Sequence, residues 1–262
     1  MAHLSLTSRS ASVTVDADRG GRLAGLMVDG HQLLVVEAAQ GAMQWGSYPM
    51  VPFAGRLAAG RFRFGGELIE LPINLAPHAI HGFGYTSAWR IVDHQTLSLD
   101  LGAPWPFPAT VTQRFELDDA GLTMTMAATA AVDMPIQLGW HPWFRRELTG
   151  AAGEPVGAEL RFGPAAMYEI DDVAIPTGRL IATPEGPWDN CFTELAEPPR
   201  ITWPGLIELT LTSDCDHWVV FTEPANALCV EPQTSAPDVF NRDPEVLAAG
   251  TTRTARFRIA WG

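Results

Sequence analysis

The sequence predicts an all-β protein, a large antiparallel β-sandwich, and three observations carry that prediction. Apolar and polar residues alternate in segment after segment, the period of a strand with one buried face. Helical periodicity is scarce. Finally, 21 prolines and 24 glycines interrupt the 262 residues too often for long helices.

Taken in order, "RFRFGGELIEL" (61–71) reads as two short strands around Gly65-Gly66, whose glycines accept the positive φ of a tight hairpin. "TLSLDLG" sets Leu97, Leu99 and Leu101 on one face, and "GLTMTMAA" does the same with Leu122, Met124 and Met126. "IELTLTS" repeats the pattern with Ile207, Leu209 and Leu211, and "ARFRIAW" with Ala255, Phe257, Ile259 and Trp261. "DPEVLAAG" (243–250) is the one segment expected to form a short turn of helix, with Asp243 as its cap and Gly250 as its stop. No internal repeat, low-complexity linker or composition shift divides the chain, so residues 1–262 are expected to form a single domain. That length suits one β-sandwich.

Composition narrows the function. Hydrophobic residues at 47% and charged ones at 18% supply a large core and argue against disorder. A net charge of −13 argues against nucleic acid or an anionic membrane as partner, since both need a basic footprint. Three cysteines, Cys191, Cys215 and Cys229, leave one over under any pairing and form no CxxC. Neither a disulfide framework nor a structural zinc site is favoured. The start, "MAHLSLTSRSAS", lacks the apolar core of a signal peptide, and no apolar run is long enough to cross a bilayer. The expectation is a reduced, soluble, cytoplasmic protein.

Four segments escape the strand pattern. In "YPMVPFAGRLAAGRF" (48–62), Arg56 sits in a Pro/Gly-rich loop, either as a solvated charge or as a planar fork for hydroxyls or carboxylates. "HAIHGFGY" (78–85) places His78 and His81 three apart, a weak metal signal without a third ligand nearby. In "LGWHPWFRRE" (138–147), His141 stands among Trp140, Trp143 and Phe144, rings that serve equally as core or as a platform for the apolar face of a sugar. In "ALCVEPQTSAPDVFN" (227–241), Glu231 follows an apolar run at the apparent end of a strand, where a carboxylate is paired, exposed or kept for chemistry.

Together with "IPTGRL" and "WDNCF", these segments resemble the aldose 1-epimerase (galactose mutarotase) family, in the family's order and over most of the chain. The resemblance implies a β-sandwich without cofactor or metal that interconverts the α and β anomers of a free aldose. It implies Glu231 as general base and His141 as general acid, with His81 near the ring oxygen. Arg56 and Asp189 would bind sugar hydroxyls, Trp143 would stack on the sugar, and His78 would be a peripheral contact. There are departures: the family commonly has Asn where this chain has Gly55 and His78, and many members are longer. These bear on substrate preference more than on chemistry.

The chemistry suits the residue types. Mutarotation opens a hemiacetal when a base removes the O1 proton and an acid protonates the ring oxygen; the aldehyde then turns and recloses. A carboxylate and an imidazole, with ordinary pKa values of about 4.3 and 6.5, can be tuned to cycle near neutral pH. Three other readings stand beside this one: a non-catalytic sugar-binding module on the same fold, a metal enzyme using His78, His81, His141 and Glu231, and a hexose-6-phosphate mutarotase. The last needs a basic contact for phosphate, for which Arg61, Arg145 and Arg146 are the candidates. The expected partner is a small sugar, bound by a monomer or homodimer.

Overall fold

A computed structural model describes residues 2–36, 41–163 and 166–262. Two large sheets dominate it, and every pairing between strands is antiparallel among the described residues. The first sheet runs in the order His3–Thr7, Ala11–Asp16, Arg22–Val28, Ser47–Met50, Gly139–Pro142, Ala227–Gln233, His217–Phe221, Asp189–Thr193, Ala166–Ile170, Pro176–Ile181. The second runs Arg90–Ile91, Thr96–Leu101, Ala109–Asp118, Gly121–Ala130, Thr252–Trp261, Ile207–Ser213, Arg200–Trp203, Glu159–Arg161.

Alternation explains the second sheet. In Gly121–Ala130, Leu122, Met124 and Met126 are buried, and in register they face Ile259, Phe257 and Ala255 of the last strand. Leu209 and Leu211 continue the same inner row. A one-residue slip would turn this whole apolar set to solvent, so burial fixes the register. The row packs on the inner face of the first sheet, where Trp140 and Trp218 lie 6.0 and 6.2 Å from the Phe257 ring, centroid to centroid. Phe257 therefore joins the layers, and its truncation to alanine carries the cost of a large core cavity, about 3–5 kcal/mol. The hairpin at 61–71 forms as the sequence implies, with Gly65 and Gly66 at φ of 59° and 87° between Arg61–Phe64 and Glu67–Glu70.

The short helix expected at 243–250 does not form. Val246–Leu247 instead pairs with Met134–Pro135 as a small two-stranded sheet. The Ala249 N–H donates to Asp133 Oδ1 at 2.8 Å, and Gly250, at φ 77°, donates to the Ala130 carbonyl at 2.8 Å. Of the segment's larger apolar side chains only Leu247 is buried, and two turns of helix with one anchor do not repay nucleation. Helix is confined, among the described residues, to 3₁₀ turns at Ala58–Gly60, Gly84–Thr86 and Val239–Asn241. The three cysteines are free and buried.

Candidate active site

The strand Ala227–Gln233 is buried at every position, because both of its faces are covered. Leu228 and Val230 enter the core between the sheets, while Glu231 and Gln233 line a cavity on the opposite face. Neighbouring strands deliver further side chains to that face by register. Glu231 stands opposite Val219, which stands opposite Cys191; Gln233 stands opposite Gly139, which stands opposite Met50. His141 and Tyr48 face each other directly. The resulting cavity, about 360 Å³, also receives Arg56, His81, Trp143 and Asp189. It lies near the small end of the range for small-molecule sites.

At its floor, His141 Nε2 and Glu231 Oε1 are 3.2 Å apart, with both side chains almost wholly buried. Burial pushes the Glu231 carboxyl well above its ordinary value; the Asp189 charge adds to this and Arg56 opposes it. Burial likewise pulls His141 well below its ordinary value, reinforced by His81 and by the buried Arg22. Opposite displacements of an acid and a base in contact favour the state in which the carboxyl keeps its proton and the imidazole is neutral. The His141 ring is clamped between Tyr48, 4.8 Å away, and Trp143, 5.2 Å away and tilted by only 5°. Its Nδ1 has no hydrogen-bond partner. Below Tyr48, the Arg22 guanidinium donates to the carbonyls of Arg19, Ala42, Trp45 and Tyr85, and burial lowers it to about 10.

Loops complete the wall. Arg56 begins a two-residue strand paired with Ala79–Ile80, and its Nη2 donates to Asp189 Oδ2 at 2.8 Å. His81 follows directly, with a left-handed backbone at φ 64°, an uncommon conformation for a residue other than glycine. Its N–H donates to the Gly55 carbonyl, tying the two loops together. Gly82, also at φ 64°, could carry no Cβ, which would stand 2.3 Å from the Val51 carbonyl oxygen. The His81 ring meets His141 edge-on at 5.1 Å, and burial, then the Arg56 charge, lowers it to about 3. It is therefore neutral in ordinary buffers.

The seven side chains singled out in the sequence separate here. Arg56, His81, His141, Trp143, Asp189 and Glu231 meet in the cavity. His78 does not line it. The Ala59 N–H donates to its Nδ1 and its Nε2–H donates to the Val173 carbonyl at 2.7 Å, so the buried ring spends both nitrogens bridging backbone segments rather than reaching a sugar. The sequence reading missed Tyr48 and Gln233. Gln233 lies two residues from Glu231 on one strand, so period two would have found it. Its amide is buried with no hydrogen bond, near the carboxyl but outside bonding geometry.

The aldose 1-epimerase family model matches residues 3–240. The chain belongs to the aldose 1-epimerase family. Its membership makes it an isomerase-type enzyme. A protein of Escherichia coli K12 named "Uncharacterized protein YphB" is 28% identical, covering 94% of each chain. The galactose mutarotase of Mus musculus is 30% identical over 144 residues, 51% of this chain and 41% of the mouse protein. Solved structures agree in fold: a putative aldose 1-epimerase from Escherichia coli K12 has a TM-score of 0.83 at 21% identity, covering 100% of this chain and 99% of that one. A galactose mutarotase-like protein from Clostridium acetobutylicum gives 0.84 at 17%, covering 98% and 94%.

Proposed function

We propose that the protein is a mutarotase for a free, unphosphorylated aldose, with Glu231 and His141 as its acid–base couple. The observation that carries this is the 3.2 Å contact between two buried groups of opposite pKa displacement, at the floor of a sugar-sized cavity. The reaction needs acid and base on two oxygens of a single carbon, which demands such closeness. In the closed sugar, O1–H is a donor and the ring oxygen only an acceptor. The matching state is a Glu231 carboxylate toward O1 and a protonated His141 toward the ring oxygen. Ring opening moves one proton from O1 to Glu231 and another from His141 to the ring oxygen. The open-chain aldehyde then faces a neutral carboxyl and a neutral imidazole, the state that burial favours in the empty cavity. Rotation of the aldehyde and reversal of both transfers complete the cycle with no net proton gained or lost.

Arg56 and Asp189, held together at one side, would orient hydroxyls, neutral His81 would hydrogen-bond beside the ring oxygen, and Trp143 would cover an apolar face. The cavity charge favours an unphosphorylated ligand. Among the described residues lining it, Arg56 is the one cation and is already paired, whereas Asp189, Glu223 and Glu231 are acidic. Arg61 is paired with Glu70 and Arg146 donates to the Thr222, Pro224 and Ala227 carbonyls. No helix among the described residues is long and apolar enough to cross a membrane, and three buried free thiols suit a reducing compartment. Polarimetry on freshly dissolved glucose, galactose and their 6-phosphates tests the reading. Acceleration of free sugars is expected; a preference for the phosphates would overturn the substrate assignment.

A further inference from the structure

We propose that the floor of the sugar cavity is also an inhibitory binding site for a thiophilic divalent cation, Zn²⁺, held by His141, Cys229 and Glu231. Cys229 and Glu231 are i and i+2 on one strand and share its face, and His141 projects from the adjacent strand. One ligand atom from each, a nitrogen, a sulfur and a carboxylate oxygen, lies within 4.8 Å of the others. With metal–ligand bonds of about 2.0–2.3 Å, ligands of a tetrahedral ion stand about 3.3–3.6 Å apart. The 3.2 Å between His141 Nε2 and Glu231 Oε1 already has that spacing. The remaining gap closes by about an ångström through side-chain torsion. His141 and Glu231 both line the cavity, and all three side chains are buried.

A mixed nitrogen, sulfur and oxygen set suits zinc over magnesium or calcium, and its fourth position opens on the cavity. Binding releases two protons to solvent, the thiol proton of Cys229 and the one shared by Glu231 and His141, with no change of oxidation state. An ion so placed occupies acid and base together and excludes the sugar. The inhibition rests on the proposed mutarotase activity; the binding does not.

Metal-free protein titrated with Co²⁺, a coloured substitute for zinc, reads the site without any activity assay. One cobalt per chain with a thiolate-to-metal charge-transfer absorption is expected, lost in Cys229→Ala. In parallel, Zn²⁺ should slow mutarotation competitively with sugar and reversibly by EDTA. Losing even an outer partner weakens metal sites by 10–100-fold, so Cys229→Ala should raise the zinc inhibition constant at least about tenfold. Should that variant fail to fold, Cys229→Ser preserves size while removing the thiolate band. Wild type without stoichiometric cobalt, cobalt bound without the thiolate band, or equal zinc sensitivity in wild type and variant would each overturn the proposal. If the protein catalyses no mutarotation, the cobalt spectrum still decides the site, and only the functional reading falls.

Discussion

Replacing Glu231 with glutamine should change how folding stability depends on pH, and the sign follows from the two displaced groups. Between their ordinary values of 4.5 and 6.5, the unfolded chain holds one proton, on His141, and the folded pair also holds one, on Glu231. Stability is then level with respect to this pair. Above 6.5 the unfolded chain has lost its proton while the folded carboxyl, raised by burial, keeps it. The native state now binds more protons, so stability falls as pH rises, by about 1.4 kcal/mol per pH unit, until the carboxyl itself ionises. Below 4.5 the unfolded chain holds two protons against one, because burial lowers His141, and stability falls as pH drops. Glutamine has the size of the protonated carboxyl and donates as it does, but does not titrate. Urea unfolding of wild type and Glu231→Gln at about pH 6.5 and 7.5 should show wild type losing about 1.4 kcal/mol relative to the variant. Parallel losses would mean that Glu231 is ionised in the folded protein, and the one-proton couple would be wrong.

Other expectations concern binding, backbone and metal. Arg56→Ala and Asp189→Ala should raise KM more than they lower kcat, since both would hold hydroxyls away from the anomeric carbon in ground and transition states alike. A loss confined to kcat in steady-state assays would refute that division. Gly55→Asn adds a side chain where a Cβ would stand 2.6 Å from Pro237 Cγ. Overpacking of this kind should cost about 1–3 kcal/mol in denaturant unfolding, and a neutral result would show that the Pro237 loop yields. Exhaustive chelation should leave mutarotation intact, because both proton transfers are assigned to side chains; lost activity restored by a metal would count against them.

Much of the fold was legible because period-two alternation survives wherever one face meets the core, as in Leu122, Met124 and Met126. The site was legible only in part. Glu231 looked like a strand end in the sequence, yet lies inside a strand buried on both faces, where an apolar run conceals which side each residue takes. The ring of Tyr48 emerges only once register is known, whereas Gln233, two residues on from Glu231, follows from the strand period alone. His78 resembled His81 in its setting, and what separates them is long range: Val173 accepts the Nε2–H of one, while the other turns into the cavity on a left-handed backbone. The segment 243–250 carried a helix cap and stop, but Leu247 and the hydrogen bonds of a distant strand decided its conformation.

The most direct test of the central claim is magnetisation exchange between the α and β anomeric protons of a free aldose, followed by NMR with wild type, Glu231→Gln, His141→Asn and the double variant. Wild type should exchange the anomers well above the buffer rate. Each single variant should lose about 10²–10⁴-fold with its β circular dichroism preserved. Because both groups serve one proton cycle, the double variant should fall far short of the product of the single losses. Near-native exchange by either folded single variant would contradict the account.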